Sequence, residues 1–133
     1  MIESVFSRLI SGEVPSYKVA ESEDFLAFLD INPNSLGHTL CIPKKVQDKL
    51  FNLTEEEYVD LMSFSRKVAL ALRKVVKCER IGMSVIGLEV SHVHVHLIPI
   101  NQLEDMTFQK KVRVDSKTMS SLADDISFNF IYE

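Results

Sequence analysis

Within Ser91-His92-Val93-His94-Val95-His96-Leu97-Ile98-Pro99, polar and apolar residues alternate strictly from His92 to Leu97. A period of two marks a β-strand, because successive side chains point to opposite faces. The alternation predicts a strand over 90–100, with Val93, Val95 and Leu97 toward a core. Three imidazoles would line the other face, roughly 6–7 Å apart, twice the strand rise. Shorter apolar runs over 17–20, 25–29, 38–43 and 81–86 predict four more strands. They are separated by a polar turn at 21–24, an Asp/Asn/Pro/Ser-rich loop at 30–35 and a break at Gly87.

The period changes to about 3.6 after Thr54, where Tyr58, Leu61, Met62, Ser65, Val68, Ala69, Leu72, Val75 and Val76 recur on one side. Thr54 with Glu57 three residues on reads as a capping box, and Arg73, Lys74 and Lys77 crowd the last turns where cations are favoured. This predicts the chain's main helix. Val5, Phe6, Leu9 and Ile10 predict a short first helix, with Ser4 as N-cap and Gly12 as stop. A weaker pattern predicts a helix over 115–128, after a loop at 101–109. Helix, meandering strands, long helix, two strands and helix together describe an antiparallel α+β domain spanning 1–133.

Composition narrows the function classes. A chain of 133 residues with 46% hydrophobic content is sized for one domain whose core needs no staples. The formal charge of −4 and pI near 5.6 argue against a general nucleic-acid or membrane-surface binder. The densest basic clusters, Lys44-Lys45 and Lys110-Lys111, are pairs rather than tracts. Cys41 and Cys78, far apart and alone, suit a reducing compartment. No signal sequence or membrane-length apolar run is visible, so the expected location is cytoplasmic.

The histidine row supports two chemistries. Alternate imidazoles on a strand can chelate a transition metal and leave a position open for catalysis. Alternatively, one imidazole acts as nucleophile or base while its neighbours orient it and bind anions. Spacing alone does not choose. The fourth histidine, His38, follows Gly37 after the Asn/Ser/Pro-rich loop, with no obvious metal partner near it in sequence.

The run from His92 to Ile98 resembles the signature of the histidine triad (HIT) superfamily, His-φ-His-φ-His-φ-φ with φ apolar. The likeness extends to Phe6 with Ile10-Ser11-Gly12-Glu13-Val14-Pro15, to 26–33 and to Gly37-His38-Thr39-Leu40-Cys41-Ile42-Pro43-Lys44-Lys45. Four motifs in order cover most of residues 5–100. The resemblance implies a five-stranded antiparallel sheet with a long central helix and flanking shorter ones, dimerising into a ten-stranded sheet. It implies a hydrolase or nucleotidyl transferase that cleaves purine nucleotide derivatives, of phosphoramidate or dinucleoside polyphosphate type, at the α-phosphate. His94 would attack phosphorus and carry the nucleotidyl group. His92 and His96 would flank it, and His38 would add a fourth imidazole. Asp30 would hold the ribose, and Val5, Phe6, Leu9, Phe28, Leu29 and Ile31 would line the base pocket.

The chain departs from the family's pattern in three places. Ser4 and Ser7 stand where many relatives carry a Cys-x-x-Cys zinc pair, so no structural zinc is expected and no other cofactor is required. Gly87-Leu88-Glu89-Val90 replaces a Gly-Gln-Ser segment that serves the phosphate and leaving group. An asparagine of the preceding strand has no counterpart. Glu89 and Ser91 thus become candidates for the leaving-group or phosphate side. Two alternatives remain: a catalytically weak nucleotide-binding module, and a metal-dependent enzyme using the histidine row.

Overall fold

The computed structural model describes residues 5–132. The chain runs α1 (Val5–Ser11), β1 (Lys18–Glu21), β2 (Phe25–Leu29), β3 (Thr39–Pro43), α2 (Glu55–Val75), β4 (Arg80–Ser84), β5 (Val95–Ile100) and α3 (Ser116–Asn129). The strands form one antiparallel sheet in the order β1-β2-β3-β5-β4. The predicted cap Ser4 lies outside the described residues. No helix among them is long and apolar enough to cross a membrane.

Period-two alternation divides the core between the two faces of the sheet. Leu26 and Phe28 of β2 and Leu40 and Ile42 of β3 pack with Phe6 of α1 on one face. Their sequence neighbours Ala27, Leu29 and Cys41, with Val95 and Leu97 of β5, meet α2 and α3 on the other. Each leucine or isoleucine buried in this way stabilises the fold by roughly 1.5–3 kcal/mol. Burial also pushes the Cys41 thiol up to about 12, so it acts as a small core residue and not as a nucleophile.

Helix α2 covers the sheet because Leu61, Phe64, Ser65, Val68, Ala71 and Leu72 recur on one buried stripe. Its start is the predicted capping box: the Glu57 amide donates to Thr54 Oγ1 at 3.1 Å, and the Thr54 amide donates to Glu57 Oε1 at 2.8 Å. Such a cap is worth about 1 kcal/mol. Asp115 caps α3 in the same manner, accepting the Thr118 amide at 2.7 Å.

The histidine strand is shorter than the alternation predicts. β5 begins at Val95, and the last pairs on either side are Cys41 with Val95 and Ser84 with His96. β4 likewise ends at Ser84 instead of reaching 86. Upstream of Val95 the backbone bonds elsewhere: the Val93 amide donates to Gln47 O at 2.7 Å, and the His92 carbonyl accepts a side chain. Alternation reports which residues face a core, but a strand also needs a partner edge, and residues 85–94 have none.

Candidate functional site

His96 is the one triad histidine on a regular strand. It sits on β5 opposite Leu40, on the face of the sheet that also carries Phe28 and Phe6. His38 immediately precedes β3 and is brought beside it by the turn at Gly37. That glycine has φ +96°, and a Cβ there would lie 2.9 Å from Val76 Cγ2 and 3.2 Å from Leu72 Cδ1 and Pro99 Cγ. Only glycine fits the turn against α2 and β5.

The hydrogen bonds of this pair assign its protons. The Asn34 amide donates to His38 Nδ1 at 3.0 Å, so a neutral His38 carries its proton on Nε2. That N–H donates to His96 Nδ1 at 2.9 Å, which places the His96 proton on Nε2. Burial, and next the positive charge His96 would carry, hold His38 down at about 3. Burial and then His94 hold His96 at about 4. Both rings are therefore neutral near pH 7, and His96 presents an uncharged Nε2–H.

His92 and His94 are oriented by carbonyls instead. His92 Nε2–H donates to Pro43 O at 2.8 Å, and His94 Nδ1–H donates to the His92 carbonyl at 2.8 Å. In the neutral tautomer His94 carries its lone pair on Nε2. The edge of Phe6 packs against its ring at a centroid distance of 5.0 Å, and His96 lies at 4.8 Å. His92 is fully buried behind it, with its pKa lowered by burial.

Two cavities meet here. One of about 170 Å³ is lined by Val5, Phe6, Leu9, Phe28, Leu29, Asp30 and Ile31, together with Val14, Pro15, Ser16 and Leu40. Every residue predicted for a base pocket borders it, although Leu29 packs mainly in the core under α2 and Ile31 is 81% exposed. The second, of about 320 Å³, holds His94 and His96 and shares Phe6, Asp30 and Leu40 with the first. Asp30 stands at the junction. Its Oδ1 accepts the Asn32 amide at 2.8 Å, its Oδ2 lies 3.6 Å from His38 Nε2, and burial raises its pKa.

Glu89 and Leu88 line the second cavity, whereas Ser91 is exposed and outside the lining. Three residues singled out by no motif belong to the site. Phe108, at φ +64°, packs its edge on His96 at 4.8 Å and on His38 at 6.0 Å. Lys111 stands over the Phe108 ring at 5.0 Å and donates to Asn34 Oδ1 at 2.7 Å. Asn34, 2% exposed, also donates through Nδ2 to Asp105 O at 3.0 Å. The only sequence signal for these was a polar loop and one lysine pair.

Asp30, His38 and His96 each offer one ligand atom within 4.8 Å of the others. The donor set does not fit a metal ion, however. His38 faces the group with the nitrogen that bears its proton, because Nδ1 already accepts the Asn34 amide. A ring nitrogen carrying a proton has no lone pair to give. Of the serines at the expected zinc-pair positions, Ser7 lies on α1 and Ser4 outside the described residues.

With this geometry in view, the relatives are informative. The sequence profile of the HIT domain matches residues 11–103. A HIT-like protein of Borreliella burgdorferi is 33% identical over 97% of this chain and 99% of its own length. An adenosine 5′-monophosphoramidase of Saccharomyces cerevisiae is 36% identical over 71% of this chain and 61% of its own. The solved structure of a HIT-like protein from Bartonella henselae superposes with a TM-score of 0.82 at 28% identity, covering 96% of each chain. The domain match and the likeness along nearly the whole chain agree with the four histidines: the chain belongs to the HIT domain family.

Proposed function

We propose that the protein is a nucleotide hydrolase or nucleotidyl transferase that acts at the α-phosphate of a purine nucleotide derivative through a covalent nucleotidyl-His94. The observation that carries this reading is the His94 Nδ1–H bond to the His92 carbonyl, beside a base-sized apolar cavity. In the neutral ring it places the lone pair on Nε2 and fixes its orientation, as a nucleophile needs. Relatives named as adenosine 5′-monophosphoramidases in Saccharomyces cerevisiae and Schizosaccharomyces pombe support a phosphoramidate as the substrate class.

In the proposed reaction the His94 Nε2 lone pair forms a bond to phosphorus. The P–N or P–O bond to the leaving group breaks, and its electron pair departs with that group, which takes a proton from water. His94 becomes a phosphorylated imidazolium whose positive charge is stabilised by the His92 carbonyl on Nδ1–H. Water or another acceptor then attacks phosphorus, its proton going to the hydroxide left by the first step, and the P–Nε2 bond breaks to return His94 to its neutral form. His96 Nε2–H donates to an equatorial oxygen as charge builds there, and Asp30 receives the ribose hydroxyls between the two cavities. No metal takes part, so exhaustive chelation leaves turnover undiminished.

A homodimer belongs to the same proposal. β4 is an edge of the sheet, and Phe51, Tyr58, Met83, Ile86 and Leu88 near it are exposed around a shared groove. An unpaired edge with apolar flanks invites pairing with a second copy into a ten-stranded sheet. Sedimentation showing only monomer at micromolar concentration would contradict it.

The catalytic proposal is tested by mass spectrometry of the protein quenched during turnover of adenosine 5′-phosphoramidate. A nucleotidyl adduct on the peptide containing His94, absent from His94→Ala, is expected. A binding-only module would retain nucleotide affinity and show no adduct in either protein. That alternative draws on the Leu88-Glu89 wall, which brings a carboxylate to the cavity.

A further inference from the structure

The charges around the larger cavity do not suit a phosphate unless one further side chain is included. Asp30 and Glu89 line it as acids, and His94 and His96 are its histidines. His96, with His38 behind it, is neutral near pH 7. A nucleotide phosphate entering this space would meet carboxylates and an uncharged donor. The only lysine or arginine among the described lining residues is Lys111.

Lys111 is held in place and does not simply project from the surface. Its Nζ donates to the side chain of the buried Asn34, and it lies over the Phe108 ring, a cation–π contact. The segment carrying both residues is pinned on either side of them. Asp105 O accepts Asn34 Nδ2, and the Val112 amide donates to Pro33 O at 3.0 Å. Phe108 adopts the left-handed backbone conformation, uncommon for an aromatic residue. Strain of this kind persists where the surroundings fix it, and it clusters at ligand sites. The whole segment lies beyond residues 11–103, which match the HIT domain.

We propose that Lys111, presented by the segment 104–112 and fixed by Asn34 and Phe108, is the cation that receives the phosphate of a bound nucleotide. This deepens the nucleotide reading above and rests on it. Charge recognition would then come from a strap outside the matched domain, while base and ribose recognition come from α1 and the end of β2. The ligand class favoured is a nucleoside bearing at least one ionised phosphate over the same nucleoside without it.

The test is calorimetric titration of the full chain with AMP and with adenosine, for the wild type, Lys111→Met and Lys111→Arg. Methionine keeps the stem over Phe108 and removes the charge. The expected result is a preference of the wild type for AMP that falls about tenfold in Lys111→Met, the worth of one charge-assisted hydrogen bond, and is largely restored in Lys111→Arg. Raising the salt concentration should narrow the preference in the wild type and the arginine variant more than in the methionine variant. If Lys111→Met weakens AMP and adenosine equally, the lysine acts only on the framework through Asn34 and the proposal fails. An unchanged preference also overturns it, while leaving the nucleotide reading intact. A wild type that binds neither ligand overturns both.

Discussion

The four histidines fall into two pairs that are wired in opposite senses. His92 and His94 each donate a ring N–H to a backbone carbonyl, whereas His38 accepts a backbone amide and donates its Nε2–H to His96. The outcome for the cavity is opposite as well. His94 offers a lone pair and His96 offers an N–H. Four identical side chains become an acceptor and a donor side by side because carbonyls orient one pair and an amide orients the other. Both pairs are set within the matched domain, the first by the carbonyls of residues 43 and 92 and the second by the Asn34 amide, but the Asn34 side chain also holds the strap of residues 104–112.

Removing the two outputs should therefore fail differently. With adenosine 5′-phosphoramidate, His94→Ala is expected to lose the covalent adduct and on the order of 10⁶-fold in kcat, the loss typical of removing an enzyme's nucleophile. His96→Ala should lower the rate of adduct formation roughly 10²–10³-fold, the usual cost of one donor to a developing oxyanion, while the adduct still forms. Quenched-flow measurement of the adduct separates these. Equal loss of the adduct in both variants would erase the distinction between the pairs.

The two pairs also set how stability depends on pH. In the unfolded chain every histidine takes up a proton near pH 6.5. Folded His38 and His96 resist protonation until about 3 and about 4. Between these values the unfolded state binds more protons, so stability rises with pH and is lost as pH falls from 6.5 toward 4. Each group contributes a slope of up to about 1.4 kcal/mol per pH unit. His92, also lowered, adds in the same direction, and Asp30, raised, works the opposite way in the carboxylate range. Urea denaturation from pH 7 to 4 should show this slope reduced in His38→Gln, and an unreduced slope would remove His38 from the account.

The smallest effect concerns the strap. Asn34→Ala removes the contacts to Asp105 O and Lys111 but keeps the backbone amide that orients His38. A loss of about 1–3 kcal/mol is expected from the partners left unsatisfied, with faster amide exchange over 104–112 and little change at β2. A variant as stable as the wild type would show that the strap is anchored by other contacts.

Much of the framework was legible from residue order alone. Short apolar runs bounded by turn residues located β1 to β4 to within about two residues, and Thr54 with Glu57 located the start of α2, because both signals are local. The alternation misjudged the histidine strand, since hydrogen-bond partners are supplied by β3 and β4 and not by residues 85–94 themselves. Asn34, Phe108 and Lys111 were illegible: Asn34 reads as loop composition, and its partners lie 71 and 77 residues away.

Residue order alone carried the α+β class, the core-facing side of the histidine segment and the set of histidines on which the chemistry rests. Short-range periodicity is enough for that, because side-chain direction follows from backbone geometry. The tertiary structure alone decided which nitrogen of each ring bears the proton, which imidazoles stay neutral and which lysine overlooks the cavity. These depend on burial and on donors brought from distant parts of the chain, and no local pattern encodes either.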